Sequence, residues 1–189
     1  MSDLRHVLVG IGNPGKQYEC TRHNAGFMVL DTLRSHPFFP SWEEQECGFS
    51  RVWKSHERGV LIVQPETYVN RTGVALAELL EKYDVSVENL LVLVDDFNLP
   101  LGTIRFRRSG GDGGHNGLKS LIEYVGECFA RLRIGIGPVP VSQTVVDFVL
   151  GEFSPDETDC MVKTQKRAAE ACTVYFDQGI DRTMNRYNC

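Results

Sequence analysis

The chain has 189 residues, 42% of them hydrophobic and 24% charged, with a formal net charge of −5. That is the profile of one soluble globular domain large enough to bury a core, which excludes disordered and collagen-like chains. No stretch reaches the ~18 apolar residues of a membrane helix and no basic start leads into an apolar secretory segment, so the expectation is a cytoplasmic protein with no membrane contact.

Residues 6–12 read as a strand, and residues 26–33 as a helix with one core-facing side. Residues 49–54 and 59–64 form a pair of strands joined by a polar turn. Thr72 caps a helix that runs through Ala75, Leu76, Leu79 and Leu80 to Tyr83. Residues 90–94, Leu-Leu-Val-Leu-Val, make the most apolar short run and predict a central buried strand. Residues 103–107 alternate as a strand, residues 116–125 follow helical spacing, and residues 131–136 are a further strand. Ser154-Pro155-Asp156-Glu157 supplies an N-cap, a proline at the first helical position and a capping-box glutamate, with Gly179 closing that last helix. Short strands and intervening helices predict an α/β fold. It is a single domain over residues 1–189, with a mixed, mostly parallel twisted sheet flanked by helices.

Six scattered cysteines, Cys20, Cys47, Cys128, Cys160, Cys172 and Cys189, contain no C-x-x-C pair. They read as reduced thiols, most of them small core hydrophobes, and no Cys/His cluster has metal-ligand spacing. Cys20 lies three residues before His23, but without a G-x-S-x-G elbow it reads as structural.

Gly10-Ile11-Gly12-Asn13-Pro14-Gly15 satisfies G-x-G-x-x-G directly after a strand. A dinucleotide site also needs a helix opening at the third glycine and an acid ~20 residues on, at the end of a second strand. Here Pro14 lies inside the turn, residues 16–20 carry no apolar face, and Asp31 falls within a helical run. The glycine-rich stretch 110–120 ends in Lys119-Ser120, but the lysine follows Leu118, so the P-loop pattern is not met. What remains is a set of side-chain amides at strand ends: Asn13, Asn70 and Asn116. Amides both donate and accept, so they can grip a peptide backbone without adding charge, although each alone also fits ordinary turn chemistry. Between residues 103 and 137, six basic residues (Arg105, Arg107, Arg108, Lys119, Arg131, Arg133) stand against three acids. This is either a discriminating anion-binding face on an acidic body or a solvated surface.

Five ordered motifs carry a resemblance over nearly the whole chain. They are Gly10 to Gly15 with Tyr18 and Thr21-Arg22-His23-Asn24; Pro65-Glu66-Thr67-Tyr68 with Asn70 and Gly73; Asp95 with Leu99-Pro100-Leu101-Gly102; Gly113-Gly114-His115-Asn116-Gly117-Leu118-Lys119; and Arg131 to Gly137. In this order they resemble the bacterial peptidyl-tRNA hydrolase family. The resemblance implies hydrolysis of the ester between a peptide and the tRNA 3′ end, which recycles tRNA from stalled translation. It implies His23 as the catalytic histidine and Asp95 as its partner carboxylate, with the adjacent Asp96 sent to the opposite face by strand alternation. It implies Asn13, Tyr18, Asn70, His115 and Asn116 as substrate-binding residues, and Arg107 and Arg133 as contacts to tRNA phosphates. No metal and no cofactor are expected, and the partner is peptidyl-tRNA rather than DNA, bound by a monomer. Five positions depart from the family's usual pattern: Gln64, Val69, the pair Arg71-Thr72, and Asn98 within Asp95-Asp96-Phe97-Asn98. The competing reading is a non-catalytic RNA-binding relative of the same fold, against which the retention of His23 with Asp95 argues.

Overall fold

The computed structural model describes residues 4–188. Its elements in chain order are β1 (His6–Gly10), α1 (Ala25–Arg34), β2 (Glu43–Cys47), β3 (Ser50–Ser55), β4 (Val60–Pro65), α2 (Thr72–Tyr83), β5 (Leu90–Pro100), β6 (Ile104–Arg107), α3 (Asn116–Val125), β7 (Ala130–Gly137), α4 (Val145–Val149) and α5 (Pro155–Tyr187). The strands form a seven-stranded sheet in the order β2-β3-β4-β1-β5-β7-β6. The four central strands, β4, β1, β5 and β7, run parallel, while β2, β3 and β6 add antiparallel edges. Central parallel strands are covered on both sides, so they read as continuous apolar runs.

Strand alternation divides the core into two layers. Leu8, Leu91 and Leu93 face α1 and α5, whereas Val7, Val9, Leu90, Val92 and Val94 face α2 and α3. The helices that follow the neighbouring strands β1 and β4 therefore go to opposite faces. That divergence opens a crevice beyond the carboxyl ends of the parallel strands, where α/β sheets usually bind ligands.

The glycines of the opening motif serve packing. A Cβ on Gly26 would lie 2.5 Å from Leu93 O and 2.7 Å from Ile11 O, so α1 can begin against β1 and β5 only with hydrogen at that position. Gly10 meets the same helix from the strand side, where a Cβ would lie 2.7 Å from Leu30 Cδ1.

Several expectations are corrected. Gly179, at φ 78°, does interrupt the last helix as expected, but a second helical stretch follows it to Tyr187 because Thr183, Met184 and Tyr187 pack back onto the core. The buried apolar strand continues past Val94 to Pro100, carrying Asp95 and Asp96 within it. Edge strand β2, Glu-Glu-Gln-Glu-Cys, has no apolar alternation, and its acidic side chains keep an exposed edge from pairing further. Of the cysteines, Cys47 and Cys172 are buried, but Cys20 and Cys128 are exposed and Cys160 is half-buried; all five are free thiols. Cys189 lies outside the described residues. Among the described residues no helix is long and apolar enough to cross a membrane.

Candidate active site

The crevice, about 420 Å³, is lined by Asn13, His23, Tyr68, Val69, Asn70 and Asn116, with Val146 and Val149 of α4 and Leu150 at its C-terminal end forming an apolar wall. The polar groups come from three places in the chain: Asn13 and His23 between β1 and α1, Asn70 between β4 and α2, and Asn116 at the start of α3. Chain positions as far apart as 13 and 116 thus share one opening.

His23 sits in a 3-10 turn, Arg22–Asn24. Its Nδ1 lies 3.0 Å from Asp95 Oδ1 and 3.1 Å from Oδ2. Asp95 is buried midway along β5, just past its apolar run, and its Oδ1 also accepts from His115 Nε2 at 2.9 Å. The His115 tautomer follows from its neighbours. It is the N-cap of α3, and its Nδ1 accepts from the Gly117 and Leu118 amides at 3.1 and 3.3 Å, so the ring proton is on Nε2. Asp95 therefore receives two imidazole donors on one carboxylate, and the two rings stand 4.9 Å apart. With Nδ1 of His23 donating to Asp95, its Nε2 is left as the acceptor nitrogen.

Electrostatics follow from this arrangement. Burial pulls the His23 pKa down, but the charge and hydrogen bond of Asp95 outweigh it and hold the pKa above the ordinary histidine value. Burial alone would raise the Asp95 carboxyl, yet the contacts with His115 and His23 hold it well below the usual carboxylate range. One ligand atom from each of His23, Asp95 and His115 falls within 4.8 Å of the others, close enough to suit a cation. A metal on His115 Nε2 would move that ring's proton to Nδ1, against two N–H donors that cap α3, so the N-cap favours the hydrogen-bonded arrangement.

Asn13 is held from both sides. Its backbone N–H donates to Asn24 Oδ1 at 2.8 Å, and Asn24 Nδ2 donates to Asn13 O at 3.0 Å. Its side-chain Oδ1 accepts from Val69 N–H at 3.0 Å, which turns the amide NH2 toward the crevice as a donor. The departure at Val69 leaves this bond intact because the backbone makes it.

Other expected residues lie farther out. Tyr18 is outside the crevice lining, edge-on to the exposed Tyr68 ring at 6.4 Å. Arg107 and Arg133 line a second cavity of about 320 Å³, together with Arg131, the glycine-rich loop 110–113, Asp95 and His115. Asp95 and His115 line only this second cavity, while His23, which contacts both, lines the first. As strand alternation requires, Asp96 leaves the His23 site; it forms an ion pair with Arg133 and accepts from Asn98 N–H at 2.9 Å. Arg131 is buried, stacks on Phe129 and donates to Gly111 O at 2.9 Å, so it braces the glycine-rich loop. Arg108 pairs with Asp181 on α5.

Sequence reasoning missed the α4 wall and the roles of Arg22, Asn24 and Tyr68. The wall had a legible signal: Thr144, whose side chain accepts from Asp147 N–H, caps an apolar run with Val146, Val149 and Leu150 at helical spacing. The inward role of Asn24 had none, since its partner lies 11 residues away in a turn.

The family model described as peptidyl-tRNA hydrolase matches residues 7–189 of the chain. Similar curated proteins include the peptidyl-tRNA hydrolase of Persephonella marina, 40% identical over 183 residues and covering 96% of each chain. That of Bacillus subtilis is 41% identical over 183 residues, covering 96% of this chain and 97% of its own. Among solved structures, the peptidyl-tRNA hydrolase of Acinetobacter baumannii superposes with a TM-score of 0.89 at 30% identity, covering all of this chain and 96% of that one.

Proposed function

Because the chain belongs to the peptidyl-tRNA hydrolase family, we propose that it hydrolyses the ester joining a peptide, or an N-blocked amino acid, to the 3′ end of tRNA, with His23 as general base. The observation that carries this reading is the bond from His23 Nδ1 to buried Asp95, which leaves Nε2 free in a crevice ringed by amides. Nε2 takes a proton from a water as its oxygen attacks the ester carbonyl. Asp95 stabilises the imidazolium so formed, and the same proton passes to the ribose oxygen as the intermediate collapses. A positioned base of this kind contributes about 10²–10⁴-fold. His115, locked in one tautomer, orients the Asp95 carboxylate.

The amides of Asn13, Asn70 and Asn116 bind the peptide backbone and the attacked carbonyl; a donor aimed at the developing oxyanion lowers the barrier by about 3 kcal/mol. The donor face of Asn13 predicts a preference for blocked substrates, because a peptide carbonyl accepts from it and a free ammonium cannot. Apolar side chains of the peptide rest on Val149 and Leu150, with Tyr18 and Tyr68 at the rim. Arg107 and Arg133 supply guanidinium donors for tRNA phosphates beyond the scissile bond. All these groups belong to one chain, which supports action as a monomer, and a substrate made by ribosomes fits work in the cytoplasm.

The test is release of N-acetylamino acid from N-acetylaminoacyl-tRNA by the purified protein. Cleavage that disappears in His23→Ala, with weak cleavage of free aminoacyl-tRNA, is the expected result. Binding of tRNA without cleavage by folded wild-type protein would overturn the reading in favour of a non-catalytic RNA binder.

A further inference from the structure

His23 stands between two anchored neighbours. Asn24 faces inward and clamps the backbone of Asn13. Arg22 faces the opposite way, into the junction between α4 and α5, and is 8% exposed. Its guanidinium carbon lies 4.6 Å from the Phe148 ring centroid and 5.0 Å from that of Phe153. It donates to the backbone oxygen of Glu152 and, through Nη2, to Glu157 Oε2 at 2.5 Å. The backbone repeats the attachment: Arg22 N–H donates to Gly151 O at 2.9 Å, and Thr21 forms a β-bridge with Glu152.

The far end of this attachment is itself fixed. Glu157 is the capping-box residue of α5, and its Oε2 accepts from Ser154 N–H at 2.8 Å. Phe148 belongs to α4, the helix whose other side carries Val146 and Val149, with Leu150 at its C-terminal end, into the crevice wall. One side chain thus joins the turn that bears His23 to the helix that walls the substrate crevice. An exposed ion pair would contribute little, and the Glu157 side chain is 31% exposed, but the Arg22 guanidinium is buried and lies over two aromatic rings, a geometry that an ammonium does not reproduce.

We propose that Arg22 is a positioning residue, fastening the His23 turn to the α4–α5 junction so that the base and the apolar crevice wall keep one spacing. The proposal rests on His23 being the general base. It separates Arg22 from the tRNA-binding arginines: Arg22 touches no substrate and acts on kcat through His23, whereas Arg107 and Arg133 act on RNA affinity.

The experiment compares wild type with Arg22→Met, Arg22→Lys and Glu157→Gln. It measures kcat and KM on N-acetylaminoacyl-tRNA, affinity for deacylated tRNA, thermal melting, and the imidazole nitrogen NMR signals of His23. Misplacing a base by about 1 Å costs up to about 10²-fold, so kcat of Arg22→Met falls about ten- to hundredfold. Arg22→Lys gives only partial rescue. Affinity for deacylated tRNA stays within about twofold, and the His23 signal loses the character of an Nδ1–H bonded to Asp95. Folded Arg22→Met with wild-type kcat and wild-type His23 signals overturns the proposal. Should Arg22→Met fail to fold, the Lys and Gln variants decide on the same two readouts, and wild-type values in both overturn it. Failure of the wild type to cleave would instead overturn the hydrolase reading, and the His23 signals of the variants would still decide the role of Arg22.

Discussion

Asp95→Asn tests the site at its centre. The substitution keeps size and burial but replaces one carboxylate oxygen with an NH2 donor. In the native site Oδ1 accepts from both His115 Nε2 and His23 Nδ1, and Oδ2 lies 3.1 Å from His23 Nδ1. His115 cannot change tautomer without losing the two amide bonds that cap α3. The asparagine oxygen is therefore held by His115, and its NH2 faces His23 Nδ1. His23 must then accept at Nδ1, which puts its proton on Nε2, where the base has to be empty. Where an equivalent Asp-to-Asn change imposes the wrong tautomer in a serine protease triad, kcat falls by about 10⁴. Loss of the carboxylate charge also removes the support for the imidazolium. The expected result is a fall in kcat of about 10³–10⁴ on N-acetylaminoacyl-tRNA, with affinity for deacylated tRNA unchanged. A folded Asp95→Asn protein that keeps more than about a tenth of wild-type kcat would refute the reasoning, because neither tautomer control nor charge would then matter.

The pH profile of kcat/KM carries a second check. A base must be neutral, and Asp95 holds the His23 pKa above the ordinary value, so the acidic limb should lie above about 6.5. In Asp95→Asn the residual activity should have its limb at lower pH, and a limb that does not move argues against the pairing. Arg107→Ala should weaken tRNA binding, lower the slope of log affinity against log salt by somewhat under one, and leave kcat intact. An unchanged salt dependence would remove Arg107 from the phosphate contacts. Gly26→Ala sets helix propensity against packing: Ala is favoured in a helix by about 1 kcal/mol, but its Cβ would meet backbone atoms of Leu93 and Ile11. Net destabilisation of about 3 kcal/mol is expected from urea unfolding, and a stabilised variant would contradict the close approach of α1 to β5.

The sequence by itself determined the α/β class, because apolar runs and helical spacing alternate along the chain and are local patterns. It also brought out His23, Asp95 and the three asparagines, because they lie in short motifs at the ends of strands. Alternation along one strand showed that only one of Asp95 and Asp96 could reach the site, and the family resemblance through Leu99-Pro100-Leu101-Gly102 selected Asp95. Where a helix stops was less legible. Gly179 carries a stop signal, and the helix resumes after it only because Thr183, Met184 and Tyr187 find core to cover. Which cysteines are buried was not legible at all, since a free thiol has no positional pattern.

Only the tertiary structure decided how the site is held. The His115 tautomer depends on amides of its own helix, but its partner Asp95 is 20 residues away. Arg22 meets Glu157 across 135 residues, and Asn13 meets Val69 across 56. Such pairings leave no period or spacing in the chain, because they are fixed by which strands lie side by side and on which face each helix returns. The candidate catalytic groups are therefore written locally in the sequence, and the bonds that aim them come into being only when the sheet is assembled.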